Sequence, residues 1–156
     1  MKKLLIALSI AGLLAGCSDN EVGDVSLGLF TLKDIKISNL DDEKIPGVTC
    51  HIASVEANLS LSDPSDSSIS CRQTGEITPE MIAQIDRSKS GEVVFNQPKS
   101  IFFKSMKVRR IYDADNQTLL YLSYTTKETD GSFKHSLSTV PLWGTKAFVE
   151  PVPETN

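Results

Sequence analysis

The chain has 156 residues, the length of a single domain, with 16 basic and 20 acidic residues and a net charge of −4. This excess of acid is unsuited to holding a polyanion through counterion release, so nucleic acid is not expected as a partner. No internal repeat is visible, and the length leaves no room for a second domain.

The N-terminal segment has the pattern of a secretory signal. Lys2 and Lys3 give it a positive start, and Leu4 to Ala15 is apolar or small with one serine. Twelve helical residues rise only about 18 Å, which is too short for a bilayer core of roughly 30 Å. The sequence Leu14-Ala15-Gly16-Cys17 then resembles the bacterial lipobox. Residues 1–16 are therefore predicted to be a cleaved lipoprotein signal peptide.

The lipobox predicts that Cys17 carries a diacylglyceryl thioether, often with a further N-acyl chain such as palmitate. At about 0.8 kcal/mol per buried CH₂, two or three acyl chains anchor a protein stably where one chain is marginal. Residues 17–26 are predicted to be a lipidated tether. In enteric bacteria, an Asp directly after the lipidated cysteine favours retention in the inner membrane. Ser18 occupies that position here, so by resemblance we expect a periplasm-facing anchor in the outer membrane.

Three cysteines are present, and the lipidated Cys17 leaves Cys50 and Cys71 as an even pair in an oxidising compartment. A bridge closing a loop of about 20 residues stabilises a domain by roughly 3 kcal/mol in the chain-entropy model.

Removal of residues 1–16 takes away two lysines and no acid, which lowers the net charge from −4 to −6.

Residues 27–145 are predicted to form one β domain, because short β-branched and aromatic segments alternate with turn residues. Cys50 and Cys71 fall on the apolar sides of their strands, where a bridge between neighbouring strands or sheets can form. The fold class is mainly β, an antiparallel sandwich or partly open barrel with one short helix and one disulfide. The predicted strands are 29–40, 48–55, 69–72, 92–95, 101–112, 118–125 and 136–140.

One helix is predicted, from Thr78 to Ile85, with Thr78 as the capping residue and Pro79 in the first turn. Within 101–112 the apolar side switches, which predicts a β-bulge near Lys104-Ser105. Residues 146–156 contain two prolines and are predicted to be a loose C-terminal tail.

Six collinear blocks together cover roughly Phe30 to Trp143 and carry a family resemblance. The blocks are Gly47-Val48-Thr49-Cys50-His51, Ser68-Ile69-Ser70-Cys71, Gly91 to Phe95, Ile101 to Asp113 (the most specific), Leu119 to Tyr124 and Ser138-Thr139-Val140-Pro141. They resemble the CreA family of bacterial exported proteins. The resemblance implies a periplasmic domain and supports the cysteine pair, but it implies no activity. The lipobox departs from the ordinary cleaved signal of that family, so a tethered protein is expected.

A basic stretch beginning at Lys99 is the one local charge asymmetry. It offers a possible surface for an anionic partner, such as a lipid headgroup or an acidic protein, formed by Lys104, Lys107, Arg109 and Arg110. The favoured interpretation is a strand with a solvated face, because Lys107 and Arg109 alternate with Met106 and Val108.

No metal, cofactor or catalytic site is predicted. Cys50 and His51 are adjacent in a strand and point to opposite faces, so they cannot easily share a metal with Cys71 and His135. Neither histidine lies in a nucleophile motif. The loop with Asp63 and Asp66 lacks calcium-ligand spacing and is a polar turn, and Trp143 is expected to be a core or rim aromatic.

The sequence therefore favours a membrane-anchored envelope protein of the CreA type that acts through protein or surface contacts and is not an enzyme. The alternative is a small-ligand module with a cavity of at least about 300 Å³ in a β-barrel or sandwich. A sandwich interior filled by Phe102, Phe103, Met106 and Leu120 would exclude that alternative.

Overall fold

A computed structural model describes residues 20–28, 30, 33–57, 67–96, 106–126 and 134–151. Five predictions lie outside these residues: the signal peptide with Cys17, the basic residues Lys99 and Lys104, the bulge near Lys104-Ser105, the interior positions of Phe102 and Phe103, and the Asp63 loop. Within the described part of the chain, no helix is long and apolar enough to cross a membrane.

The fold consists of two four-stranded antiparallel sheets and one short helix, which confirms the mainly β prediction. Sheet one has the order β1-β2-β3-β4, and sheet two has the order β5-β6-β7-β8. The helix α1 joins the two sheets. The elements are β1 Glu21–Ser26, β2 Lys33–Asp41, β3 Val48–Ala57, β4 Ser67–Gln73, α1 Pro79–Gln84, β5 Glu92–Asn96, β6 Met106–Asp113, β7 Thr118–Thr125 and β8 His135–Pro141.

The tether prediction for residues 17–26 is wrong for its second half. Residues 21–26 form β1, which pairs with β2 from Glu21 opposite Ser38 to Ser26 opposite Asp34. The segment is polar, so it shows no apolar alternation, and its strand geometry comes from the edge of β2. Strand β1 thus begins four residues after Cys17.

The C-terminal tail prediction is also wrong for the residues next to the domain. Ala147 is buried, and its N–H donates to the carbonyl of Ile77 at 3.1 Å. Gln117 forms two 2.8 Å bonds with the backbone of Val149, one through each end of its amide. These long-range contacts hold residues 147–149 to the fold.

The core lies between the two sheets and under α1. Buried and more exposed residues alternate along β4, β6 and β7, as expected for sheets that bury one face. Within β7, Leu119 and Tyr121 are fully buried, and Leu120 and Leu122 are half-buried. The core residues are Leu40, Ile45, Val48, Cys50, Ile52, Ile69, Cys71, Ile77, Ile82, Ile85, Phe95, Met106, Val108, Leu119, Tyr121, Val140, Leu142 and Ala147.

The predicted disulfide is present and joins neighbouring strands. Cys50 of β3 lies directly opposite Cys71 of β4, with their Cα atoms 3.9 Å apart. Strand β4 also lies against β8 of the other sheet, and the Cys71 N–H donates to Ser138 Oγ at 2.7 Å. The bridge therefore braces the place where the two sheets meet.

One end of the sandwich collects most of the described connections, and we call it the helix end. It comprises the 42–47 turn, the 74–91 segment with α1, the 114–117 turn and the 142–149 segment. Gly47 lies at its centre and accepts the N–H groups of Thr74 and Gly75. A Cβ at Gly47 would lie 2.3 Å from the carbonyl oxygen of Glu76, so only glycine fits there.

Candidate functional site

The most polar feature of the interior is an ion network around Arg110. Arg110 lies on β6 with 1% of its surface exposed. One terminal nitrogen donates to both carboxylate oxygens of Asp42, and the other donates to Glu92. Asp42 follows β2 and Glu92 begins β5, so this guanidinium links the two sheets.

The Asp42 carboxylate is saturated with donors. The N–H groups of Lys44 and Ile45 donate to its Oδ1 at 3.1 and 3.2 Å, closing the turn that begins at Asp42. Tyr121, from β7, donates its hydroxyl to Oδ2 at 2.8 Å. Together with Arg110, these donors offset the desolvation cost of a carboxylate that is only 2% exposed.

Glu92 forms the outer part of the network. Burial opposes its ionisation, but the Lys44 ammonium at 2.6 Å, the Asp86 N–H and the Arg110 charge outweigh burial and lower its pKa. A pocket of about 210 Å³ opens here. Its described lining consists of Asp42, Glu43, Lys44, Glu92, Val93, Val94 and Arg110.

Gly91 sets the approach of β5 to the network. Its φ is +58°, and a Cβ there would lie 1.9 Å from the Arg110 carbonyl oxygen. A side chain would therefore force β5 away from β6 and move Glu92 off the guanidinium. The glycine and the ion network form one local unit.

Tyr121 and Arg110 both keep their protons near neutral pH. Burial and the adjacent Asp42 carboxylate raise the pKa of Tyr121, which keeps the phenol protonated as a donor. Burial opposes the Arg110 cation, but the Asp42 carboxylate overcomes it and raises the pKa of the guanidinium. The arrangement is therefore an electrostatic clamp between the sheets.

The structure corrects the prediction of a basic surface for Arg110. Its side chain is inside the protein, because it shares the inner side of β6 with Met106 and Val108. Side chains alternate along β6, so Lys107 and Arg109 lie on one side and Arg110 lies on the other side with Met106 and Val108. Arg109 donates to the carbonyls of Ser90 and Gly91 at 2.9 and 3.2 Å. Lys107, the remaining described member of the predicted basic surface, is half-buried on the same side of β6 as Arg109.

The two histidines lie on separate strands. His51 is on β3 between Asn39 and Ser70, and His135 begins β8 opposite Tyr124. The cross-strand neighbours of His51 therefore carry a side-chain amide, on Asn39, and a hydroxyl, on Ser70. Among the described residues, no group of three His, Cys, Asp or Glu side chains could hold a metal ion.

A second concave feature lies at one end of sheet one and reaches the start of β8. Ile35 and Val55 are opposite one another in the register and, with Ala53, are on the side of the sheet opposite Cys50. They border a groove of about 350 Å³ near the strand ends farthest from α1. Its described lining residues are Ile35, Ala53, Ser54, Val55, Ser67, Ser68, Lys134 and His135.

The fold and the ion network define a class: a small disulfide-bonded β-sandwich whose two sheets are joined by a buried Arg-carboxylate clamp. The family model described as CreA protein matches residues 22–145, which begins within β1. The chain belongs to the CreA family.

Curated relatives support this assignment. Protein CreA of Escherichia coli strain K12 is 35% identical over 151 residues, covering 90% of this chain and 95% of that protein. The CreA proteins of Escherichia coli O6:H1 and O157:H7 match with the same identity and coverage. No solved structure matches the chain.

Proposed function

We propose that this CreA-family protein is an envelope lipoprotein, held on a membrane by acyl chains on Cys17 and acting through protein or surface contacts without catalysis. The observation that carries the anchor is the short apolar run that ends at Leu14-Ala15-Gly16-Cys17. The start of β1 at Glu21 agrees with it, because a domain would begin directly after the modified cysteine.

The proposal of a contact function is supported by the chemistry of the described residues. Arg110 and Tyr121, two of the most deeply buried ionisable groups among the described residues, both donate to the Asp42 carboxylate, so these groups serve to join the sheets. The proposed location is the periplasmic side of the outer membrane. The bilayer is then the first partner, and an envelope protein or anionic surface is the second.

The anchor is tested by replacing Cys17 with serine. The Cys17→Ser variant, exported on an ordinary cleaved secretory signal in place of residues 1–16, should lack the thioether and appear in the soluble periplasmic fraction, whereas the wild-type chain stays with the membranes. Intact mass of the wild-type protein should show a chain starting at residue 17 with added acyl mass. A wild-type protein that starts elsewhere, or that lacks the added mass, would contradict the proposal.

A matched control lies one residue away. Ser18→Ala should keep both the lipid and the membrane association, because it leaves the thiol and the cleavage site unchanged. Ser18→Asp should keep the lipid and move the protein towards the inner-membrane fraction. Membrane retention of Cys17→Ser equal to that of Ser18→Ala would show that something other than the lipid anchors the domain.

The groove beside Ile35 supports a second candidate function, the binding of a small apolar ligand. Its volume of about 350 Å³ falls within the range of ligand sites, and serine and lysine side chains border its apolar floor. The fluorescent probe anilinonaphthalene sulfonate should bind to the folded wild-type domain. Ala53→Trp should abolish this binding by filling the groove, and Ser70→Trp, on β4 outside the groove, should not. Equal binding by the two variants would remove this candidate.

A further inference from the structure

The structure fixes the chain immediately after the proposed lipid. The carbonyl of Asn20 accepts the N–H of Asn39 at 2.8 Å, and β1 then continues along β2. Only Ser18 and Asp19 separate Asn20 from Cys17. Three Cα steps span at most about 11 Å when fully extended. A lipid on Cys17 must therefore hold the domain very close to the bilayer.

The same contacts identify which end of the domain is close to the bilayer. Asn39 lies two residues before Asp41, where β2 enters the 42–47 turn of the helix end. Strand β1 is antiparallel to β2, so its N-terminal end lies at the end of sheet one where β2 enters this turn. A lipid at most three Cα steps from Asn20 is thus near the helix end, and Phe30, between β1 and β2, is at the opposite end.

The helix end carries an exposed apolar patch, formed by Trp143, Phe148 and Val149. Trp143 is 70% exposed and Val149 is 68% exposed. The Trp143 ring contacts the Phe148 ring edge to face, with ring centroids 5.0 Å apart. The bonds from Gln117 to Val149 hold the patch against the domain. Side chains of this kind cost free energy in water when nothing covers them.

We propose that this aromatic patch lies in the headgroup layer of the bilayer that holds the Cys17 lipid. The inference rests on the proposed lipid anchor and adds a second, non-covalent membrane contact. The headgroup layer is about 5–8 Å thick on each side, which is comparable to the reach of the three Cα steps from Cys17 to Asn20. Tryptophan is enriched at this depth because its ring is apolar and its N–H stays hydrated.

Charge around the patch indicates which lipid it fits. Lys146 is exposed beside the patch and is paired with Glu76, and Glu150 follows Val149. The domain as a whole is acidic, so a zwitterionic surface suits it better than an anionic one. The phosphatidylcholine bilayer is therefore the appropriate test surface.

Trp143 is the single tryptophan of the chain, so its fluorescence reports the patch directly. The lipidated wild-type protein would be reconstituted into phosphatidylcholine vesicles, with or without phospholipids that carry a spin label near the headgroup. We expect the Trp143 emission to shift to shorter wavelength on reconstitution and to be quenched by the labelled lipid. The Cys17→Ser variant, mixed with the same vesicles, should show less of both effects.

A second tryptophan position serves as the matched control. Phe30 is 98% exposed at the end of the sandwich opposite the patch. In a Trp143→Phe background, Phe30→Trp should report a solvated site, with little quenching. Equal quenching at the two positions would overturn the patch assignment, because it would mean that the domain has no preferred end at the membrane.

The outcomes separate the two proposals. If intact mass shows the lipid on Cys17 but Trp143 is neither shifted nor quenched, the patch proposal fails and the anchor stands. If the lipid is absent, the anchor itself fails. Shift and quenching at Trp143 in the lipidated protein, without quenching at position 30, would support both.

Discussion

Replacing Arg110 with methionine should destabilise the domain by about 3–5 kcal/mol, the range found when one partner of a buried ion pair is removed. The variant would keep the volume of the side chain but leave the Asp42 carboxylate, 2% exposed, without its cation. Equilibrium unfolding in urea should show a lower midpoint with an unchanged slope. By thermal unfolding, the loss corresponds to a melting temperature lower by roughly 10–20 °C.

A neighbouring cation gives the control for this prediction. Lys107→Met removes a half-buried charge from the opposite side of β6 and should change stability by no more than about 0.5 kcal/mol. The double variant Asp42→Asn with Arg110→Met should be more stable than the sum of the single changes implies, because both charges leave together. If Arg110→Met unfolds at the wild-type midpoint, the clamp contributes nothing to holding the sheets.

Reduction of the Cys50–Cys71 disulfide should cost about 3 kcal/mol, because the bridge closes a loop over a sequence separation of 21 residues. That is a large fraction of the 5–15 kcal/mol that stabilises a typical domain. Both sulfurs are buried, so the bridge must be reduced in denaturant and the protein refolded before thermal unfolding. The reduced form should melt many degrees below the oxidised form.

The double variant Cys50→Ala with Cys71→Ala provides the reference for the disulfide. Its melting temperature should be low and independent of reductant, whereas the wild-type value should depend on the redox state. A wild-type protein whose intact mass confirms the bridge, yet which melts at the same temperature after reduction, would show that loop closure is not a stabilising constraint here.

Much of the sandwich was predictable because its strands carry local patterns. Strand β7 spans 118–125 as predicted, since its apolar run and the adjacent turns mark both ends. The helix between Thr78 and Ile85 was also predicted, although Thr78 makes no side-chain capping bond. These features depend on residues a few positions apart, and a single sequence displays such spacing directly.

The ion network was not predictable as a unit. Asp42 lies 68 residues from Arg110 and 79 from Tyr121 along the chain, so no local spacing links them. In the sequence, Asp42 falls between the predicted strands 29–40 and 48–55. The alternation along β6 did assign Arg110 to the core side, and a lone arginine on a core face was the available signal that a buried carboxylate would face it.

The strand periodicity, the fold class and the even pair of cysteines were predictable from the chain alone, because each follows from local patterning or from a count of residues. Long-range contacts decided three other features: polar residues 21–26 form a strand, residues 147–149 are held to the fold, and Arg110 meets Asp42, Glu92 and Tyr121 in one network. The physical reason is that these three outcomes depend on hydrogen bonds and ion pairs donated by distant parts of the chain, which leave no mark on neighbouring positions.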